Sequence, residues 1–282
     1  MNTVPMKIEL DKVMRERLPR HYRYLPRFAV RWLERVICQD RLNAILKKMA
    51  GKNSVDAATA ALDEMKIKID AQGLDKLADG RFMFVSNHPL GGLDGLALIS
   101  LLGNRYHHQI KFLVNDLLMA VEPLRDVFLP VNKYGSQSRV TAAQVEDALS
   151  GDNQFITFPA GLCSRMMPNK TIADLPWQKA AVSHAVSHHR DVVPVFFDAS
   201  NSRFFYRFAK WRERLGIKFN IELVLLPREM IKKCGSTLRV VFGEPIPWSE
   251  LDGQHPKLEA ARLRDAVYAM DQSPSHLKED CL

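Results

Sequence analysis

The chain has 282 residues, enough for one large domain or two small ones with a substantial buried core. Lysine and arginine exceed aspartate and glutamate by 40 to 32, and the formal net charge of +8 favours an anionic partner such as nucleic acid, an acidic carrier protein, a phosphorylated ligand or an anionic membrane. Four scattered cysteines argue against a disulfide framework or a zinc finger and suit a reducing cytosol. The amino terminus lacks the apolar segment of a signal peptide, and no stretch approaches the roughly 18 apolar residues of a membrane span. We therefore expect a soluble or peripheral protein.

The first predicted unit, residues 1–75, is helical and basic. Apolar side chains recur at helical spacing within 28–37, mostly on one side of the predicted helix and with arginines between them. A second helix is predicted over 54–73. Aromatic residues interleaved with cations over 20–35 suit a membrane interface, so we interpret this region as membrane-facing. The alternative is that these rings pack into the core while the cations are solvated.

From about residue 80 short apolar strands alternate with helices, which predicts an α/β core over 76–250. A helix near 256–271 and a loose tail form the last unit, 251–282. The predicted strands of the core are 82–87, 110–114, 127–131, 154–158, 192–197, 220–226 and 238–242, and its predicted helices are 94–103, 137–150 and 175–189.

The stretch "SNHPLGGLDG", residues 86–95, forms a predicted strand-to-helix turn that contains a histidine and an aspartate. An extended chain would separate His88 from Asp94 by roughly 20 Å, so they meet only if the intervening glycines fold the chain back. A carboxylate beside an imidazole fixes its tautomer and supports the imidazolium formed when histidine takes a proton. The simpler alternative is that Asp94 caps the following helix and His88 is an ordinary strand-end residue. Asp94 can fill both roles.

Several segments together resemble the glycerolipid acyltransferase family, represented by lysophosphatidic acid acyltransferase. "NHPLGGLD" resembles its first block, N-H-x-x-x-x-D, and "FPAGLCSR" resembles its third, F-P-E-G-T-R-S. "VVPVFF" resembles the fourth block, "DVFLPVNKYG" is a degenerate second block, and Lys179 falls where the family often has a lysine. The resemblance covers about residues 80–245 and implies a mixed sheet flanked by helices.

The third block departs from the family in its polar residues. Phe158, Pro159, Gly161 and Ser164 match, whereas alanine, leucine and cysteine replace the family's glutamate, threonine and arginine at positions 160, 162 and 163. In the family those polar residues are associated with a glycerol phosphate acceptor. The first block also has five residues between histidine and aspartate instead of four. This form is closer to the bacterial branch that O-acylates lyso-ornithine or lyso-glycine lipids, and to hemolysin-like acyltransferases.

The resemblance implies attack of an acceptor hydroxyl on the thioester of acyl-CoA or an acyl carrier protein, as co-substrate, with no cofactor and no metal. His88 would act as general base, oriented by Asp94, without a covalent acyl-enzyme. Backbone N–H groups near Gly91 and Gly92 would stabilise the oxyanion. Lys133 and Arg165 are candidates for binding an anionic donor or acceptor, although each is also compatible with a plain surface cation.

A second aromatic and basic segment, 203–218, suits a membrane interface as a helix. The alternative is that its rings pack into the core while its cations are solvated. The same composition is compatible with nucleic-acid binding, but no recognised motif accompanies it and no nucleic acid is expected. His184 and His188 have zinc-compatible spacing without an evident third ligand, so we interpret them as part of an ordinary helix face.

The sequence thus predicts a cytoplasmic O-acyltransferase of membrane lipid biosynthesis, peripheral on the inner face of the cell membrane. Its predicted acceptor is a lyso-ornithine lipid, a lyso-glycine lipid or lysophosphatidic acid. Its predicted partners are an anionic lipid surface, the acyl donor and the lyso-lipid acceptor; nothing in the sequence specifies an oligomeric state. Two rival functions stay open: a non-catalytic basic protein that binds lipid or nucleic acid, and a thioester hydrolase on the same fold.

Overall fold

The computed structural model of the chain describes residues 7–17, 22, 26–131, 139–217 and 219–271. The helices in these ranges are α1 (Leu10–Arg17), α2 (Arg27–Val36), α3 (Gln39–Met49), α4 (Ser54–Glu64), α5 (Gly92–Arg105), α6 (Arg139–Ser150), α7 (Ala180–Ser187), α8 (Arg203–Arg214), α9 (Leu226–Lys232) and α10 (Pro256–Ala269). Short 3-10 segments lie at Leu74–Lys76, Asp116–Ala120, Glu122–Val127, Ile221–Leu225 and Trp248–Glu250. The predicted tail lies, from residue 272 on, outside these ranges.

One large mixed sheet organises the molecule. The strands are β1 (Lys68–Gln72), β2 (Phe82–Ser86), β3 (Ile110–Asn115), β4 (Phe128–Val131), β5 (Gln154–Thr157), β6 (Arg165–Met166), β7 (Ile172–Ala173), β8 (Asp191–Asp198) and β9 (Thr237–Phe242). Seven of them pair in the order β1-β9-β8-β2-β5-β3-β4, and β6 with β7 forms a separate ribbon. All pairs in the large sheet are parallel except β8 with β9, which makes the sheet mixed as predicted.

Strand β2 lies at the centre, with all five of its residues buried. Its side chains alternate between two hydrophobic clusters, because successive residues of a strand point to opposite faces. Phe84 joins the cluster that includes α4 and α5, whereas Met83 and Val85 join the one that includes α6, α7 and α10. Helices therefore cover both faces, which explains why β2 reads as a continuous apolar run.

The predicted helix over 54–73 is wrong in its second half. Helix α4 ends at Glu64, Lys66 has a positive φ of 54°, and the chain continues as strand β1. The alternating exposure of β1 fits the half-covered edge of the sheet, where it pairs with β9. This strand precedes the predicted domain boundary at residue 75, yet it belongs to the core sheet.

The predicted strand at 220–226 is also wrong. Residues Ile221–Leu225 form a 3-10 segment that leads directly into α9, with Pro227 in the first turn of that helix. Proline is favoured in a first helical turn and disfavoured within a strand. The other predicted strands are confirmed with end points shifted by at most one residue, and the helix predicted over 175–189 begins only at Ala180.

Helix α2 presents aromatic residues to solvent. Val30 and Ile37 are buried, whereas Phe28 is 75% and Trp32 61% exposed. The apolar residues predicted to lie mostly on one side are thus divided between a buried and an exposed face. Across the ranges that the structure describes, we find no helix both long and apolar enough to cross a membrane.

Candidate active site

Two turns meet at the carboxyl edge of the sheet, because β2 and β5 are parallel neighbours. His88 follows the end of β2, and Phe158 follows β5 directly. The imidazole of His88 stacks on the ring of Phe158, with centroids 3.9 Å apart and planes inclined by 17°. The backbone N–H of Ser164 donates to the carbonyl oxygen of His88 at 2.8 Å. The first and third sequence blocks therefore form one site.

The glycine turn brings the predicted histidine and aspartate together. Nδ1 of His88 lies 3.1 Å from Oδ2 of Asp94, which is fully buried. The same oxygen accepts the backbone N–H groups of Leu90 at 2.8 Å and Gly91 at 3.1 Å. Asp94 thus caps the start of α5 and holds the imidazole at once, the two roles that the sequence allowed. Because Asp94 holds Nδ1, Nε2 is the ring nitrogen left for the proton transfer that the sequence predicts.

Burial and neighbouring groups shift the pKa values of both members of the pair. Burial raises the pKa of the Asp94 carboxyl, and its hydrogen bonds with His88, Leu90 and Gly91 offset only part of that shift. Burial lowers the pKa of His88, but interactions with Cys163 and with Asp94 outweigh it and raise the pKa to about 10. The site therefore stabilises the imidazolium, the form that a general base adopts after taking a proton.

The two turn glycines are not equivalent. Gly91 has a φ of +83°, and an added Cβ there would lie 3.1 Å from Leu226 Cδ1 and 3.2 Å from Cys163 Sγ. Its N–H is already donated to Asp94. Gly92 is the first residue of α5, so its N–H has no acceptor within the helix, and a Cβ there would meet nothing within 4 Å. Of the two predicted oxyanion donors, Gly92 has the better-placed N–H.

Asp174, a buried aspartate that was not predicted from the sequence, holds the two turns of the site together. Oδ1 of Asp174 accepts the backbone N–H of His88 at 3.2 Å and the hydroxyl of Ser164 at 2.6 Å. Its Oδ2 accepts the indole N–H of Trp177 at 3.0 Å. Asp174 thereby ties the first block to the third. No spacing rule links an aspartate to a histidine 86 residues earlier. The only feature of the sequence that could have pointed to Asp174 is that a single carboxylate stands in an apolar stretch.

The predicted anion-binding residues are placed differently from one another. Arg165 is buried, and its guanidinium donates to Glu222 Oε1 at 2.8 Å and to the carbonyl oxygen of Cys163 at 3.2 Å. Glu222, fully buried and also missed, pairs with Arg212 as well. Lys179 is exposed at the start of α7. Lys133 lies outside the described residues.

The remaining third-block residues shape the turn. Gly161 has a φ of +65°, and its N–H donates to the carbonyl oxygen of Phe158 at 2.9 Å. The carbonyl oxygen of Pro159 accepts the N–H of Gln178 at 3.0 Å, which holds the residue before Lys179 against this turn. Phe158 and Ser164 thus contact His88 directly, Pro159 and Gly161 shape the turn between them, and the roles of all four in substrate binding stay predictions.

The chain is similar to known proteins over most of its length. The family described as Acyltransferase matches residues 12–278. Two proteins named lyso-glycine lipid O-acyltransferase, from Phocaeicola vulgatus and Bacteroides thetaiotaomicron, are each 42% identical over 265 residues, or 93% of this chain and 95% and 97% of their own. The crystal structure of PlsC, the 1-acyl-sn-glycerophosphate (LPA) acyltransferase from Thermotoga maritima, is similar with a TM-score of 0.48 and 14% identity, covering 86% of this chain and 97% of that one.

Proposed function

Because the chain belongs to the Acyltransferase family, we propose that it transfers a fatty acyl group from a thioester donor, acyl-CoA or an acyl carrier protein, to the hydroxyl of a lyso-glycine lipid. The observation that carries the chemistry is the 3.1 Å contact of His88 with Asp94 at the meeting point of the two turns. The acceptor is proposed from the names of the two relatives. Alanine, leucine and cysteine at 160, 162 and 163 weigh against lysophosphatidic acid, and lyso-ornithine lipid is the second candidate.

The proposed reaction is a direct transfer. Nε2 of His88 takes the proton of the acceptor hydroxyl while Nδ1–H stays donated to Asp94. The oxygen attacks the thioester carbonyl, and the new carbon–oxygen bond gives a tetrahedral oxyanion. When the carbon–sulfur bond breaks, the leaving thiolate takes the proton back from the imidazolium. The products are the O-acylated lipid and the free thiol, so His88 returns to its starting state.

The amino end of α5 is proposed to stabilise the oxyanion. Gly92 begins a fourteen-residue helix beside His88, and the N–H groups at the start of a helix have no acceptor within it. Preorganised donors at a developing negative charge contribute about 10²- to 10³-fold to the rate. The start of α5 lies beside His88 because Asp94 caps this helix and also holds the imidazole.

Membrane docking is proposed through two neighbouring aromatic faces. Helix α8 exposes Phe204 and Trp211, with Phe208 between them in a stacked row at centroid distances of 6.0 and 5.9 Å. Phe208 of α8 and Val36 of α2 pack against the same small cluster, so the two helices that carry the exposed rings meet there. Arginines and lysines between the rings would meet anionic headgroups, and this supports the proposed location on the inner face of the cell membrane.

The docking proposal is tested by vesicle sedimentation. Wild type should bind vesicles containing phosphatidylglycerol more strongly than neutral phosphatidylcholine vesicles, and Trp32→Ala with Trp211→Ala should lose most of that binding. Leu258→Ala is the matched control, since Leu258 is an exposed apolar residue on α10. Equal loss in the control, or no loss in the tryptophan double variant, would contradict docking through these faces.

The function is tested by lipid mass spectrometry on cells that express wild type or His88→Ala and are fed a panel of lyso-lipids. A diacylated glycine lipid should appear with wild type and fall by about 10²- to 10⁴-fold with the variant. The control is His255→Ala, which removes an exposed histidine just before α10 and should retain the product.

Other outcomes identify the rival functions. Product formed only from lyso-ornithine lipid or lysophosphatidic acid would replace the proposed acceptor. Thiol release from purified enzyme without any acceptor would indicate a thioester hydrolase. Identical lipid extracts despite equal expression of folded protein would leave lipid or nucleic-acid binding as the better account.

A further inference from the structure

Two helices bring three metal-ligating side chains together away from the active site. His184 lies in α7 and His188 directly follows it, so the two imidazoles share one helix face, with ring centroids 6.4 Å apart. Glu146 of α6 faces them, and its Oε2 lies 3.0 Å from Nε2 of His188. One ligand atom from each residue lies within 4.8 Å of those from the other two. The tertiary structure thus supplies the third ligand that was missing from the sequence pattern.

This histidine–glutamate cluster, Glu146, His184 and His188, lies at the opposite end of the sheet from His88. Helices α6 and α7 lead into the amino ends of β5 and β8, whereas His88 follows the carboxyl end of β2. These three strands run parallel, so their amino and carboxyl ends form opposite edges. The cluster is therefore separate from the proposed reaction.

We propose that Glu146, His184 and His188 bind one divalent transition-metal ion of the zinc class. Two imidazoles and one carboxylate form a ligand set that suits Zn²⁺ and disfavours Mg²⁺ or Ca²⁺, which prefer oxygen ligands alone. Three protein ligands leave a fourth position for water. The ion would join the carboxyl-terminal part of α6 to the end of α7.

Binding requires only small side-chain movements. Tetrahedral ligands at about 2.0–2.1 Å from zinc lie about 3.3 Å from one another. The His188–Glu146 contact already meets that spacing at 3.0 Å. Glu146 is exposed and both histidines are half-buried, so their rotamers can close the remaining gap without moving backbone. The end of α7 adds the negative end of a helix dipole, which favours a cation there.

The test uses the untagged full chain after removal of metal with a chelator. Co²⁺, a spectroscopic substitute for zinc, should produce the visible absorption of a tetrahedral site with one equivalent bound, and Zn²⁺ should displace it. His184→Ala and His188→Ala should each weaken binding by more than about 100-fold, the upper range for loss of an outer-shell partner. Zn²⁺ should raise the Tm of wild type and leave that of both variants unchanged.

Two further variants keep the result interpretable. Glu146→Gln changes an exposed side chain, so it should fold normally and still lose Co²⁺ affinity. His255→Ala removes a histidine that is paired with Asp252 alone among the described carboxylates, and it should bind Co²⁺ like wild type. The proposal is overturned if wild type shows neither the absorption nor the Tm shift, or if Glu146→Gln binds as tightly as wild type. Acyl transfer should persist in all these variants, which separates this test from that of the proposed function.

Discussion

One carboxylate oxygen, Oδ2 of Asp94, accepts the N–H groups of Leu90 and Gly91 just before α5 and also contacts Nδ1 of His88 at 3.1 Å. The helix start and the orientation of the imidazole are therefore set by the same atom. Because Leu90 and Gly91 donate to this oxygen, an amide at position 94 would turn its own oxygen toward them. Such a substitution removes the negative charge while it preserves the geometry.

Asp94→Asn is accordingly expected to lower the rate of acyl transfer by about 10²- to 10⁴-fold, because a neutral amide no longer stabilises the imidazolium. The free energy of unfolding should change by no more than about 1 kcal/mol, since the cap is retained. Asp94→Ala is the control that loses both cap and charge, at a cost of about 1–3 kcal/mol. Urea unfolding and thiol-release rates measure the two effects. An Asp94→Asn variant with the wild-type rate would reduce Asp94 to a helix cap.

The rate of acyl transfer should keep rising with pH at pH values well above the ordinary pKa of histidine. A general base acts in its neutral form, and Cys163 and Asp94 raise the pKa of His88 to about 10. Below that pKa the neutral fraction grows about tenfold per pH unit. Cys163→Ala removes one of the two side chains that raise the pKa of His88, so the rise should move to lower pH.

Initial rates of thiol release, corrected for the uncatalysed reaction, measure this profile. Cys234→Ala is the matched control, because Cys234 is a half-buried cysteine that lies after α9. A wild-type rise centred at or below about pH 6.5, the ordinary pKa of histidine, would contradict the prediction. So would an unchanged profile in Cys163→Ala.

The turn glycines should respond oppositely to alanine. Gly91→Ala places a side chain at a φ of +83° and against Leu226 and Cys163, so a loss of at least about 1 kcal/mol is expected. Gly92→Ala enters open space at the first helical position, where it should be neutral or stabilise by up to about 1 kcal/mol. Urea unfolding of both variants measures these changes in the free energy of unfolding. Equal losses would show that the turn is not built as described.

Glu222 neutralises two buried guanidinium groups, those of Arg165 and Arg212. Glu222→Ala would leave both without their buried counter-charge, and a loss of about 3–5 kcal/mol is expected. Glu213 also contacts Arg212, at 3.4 Å, but its side chain is more than half exposed. Glu213→Ala should therefore cost less than about 1 kcal/mol. Similar unfolding free energies for the two variants would argue against a structural role for the buried network.

Local patterns in the sequence were sufficient for much of the fold. The apolar runs around β2, β5 and β8 predict strands because a strand covered on both faces excludes polar residues over its whole length. The same logic failed at 220–226, where an apolar run lies in a 3-10 segment and α9. Short apolar runs fit either state, and neighbouring contacts such as the ion pairs of Glu222 decide between them.

The His88–Asp94 pair could be predicted from the sequence. The two residues are only six positions apart, and the two glycines between them allow the tight turn that brings their side chains together. Contacts between segments that are distant in the sequence could not be predicted in this way. The stacking of His88 on Phe158, the hydrogen bonds of Asp174 and the approach of Glu146 to His188 depend on which strands are neighbours in the sheet. Strand order follows from the packing free energy of the whole chain, and no local spacing encodes it. The sequence by itself therefore determined the reactive turn and the α/β class, whereas only the tertiary structure decided what supports that turn and which side chains meet elsewhere.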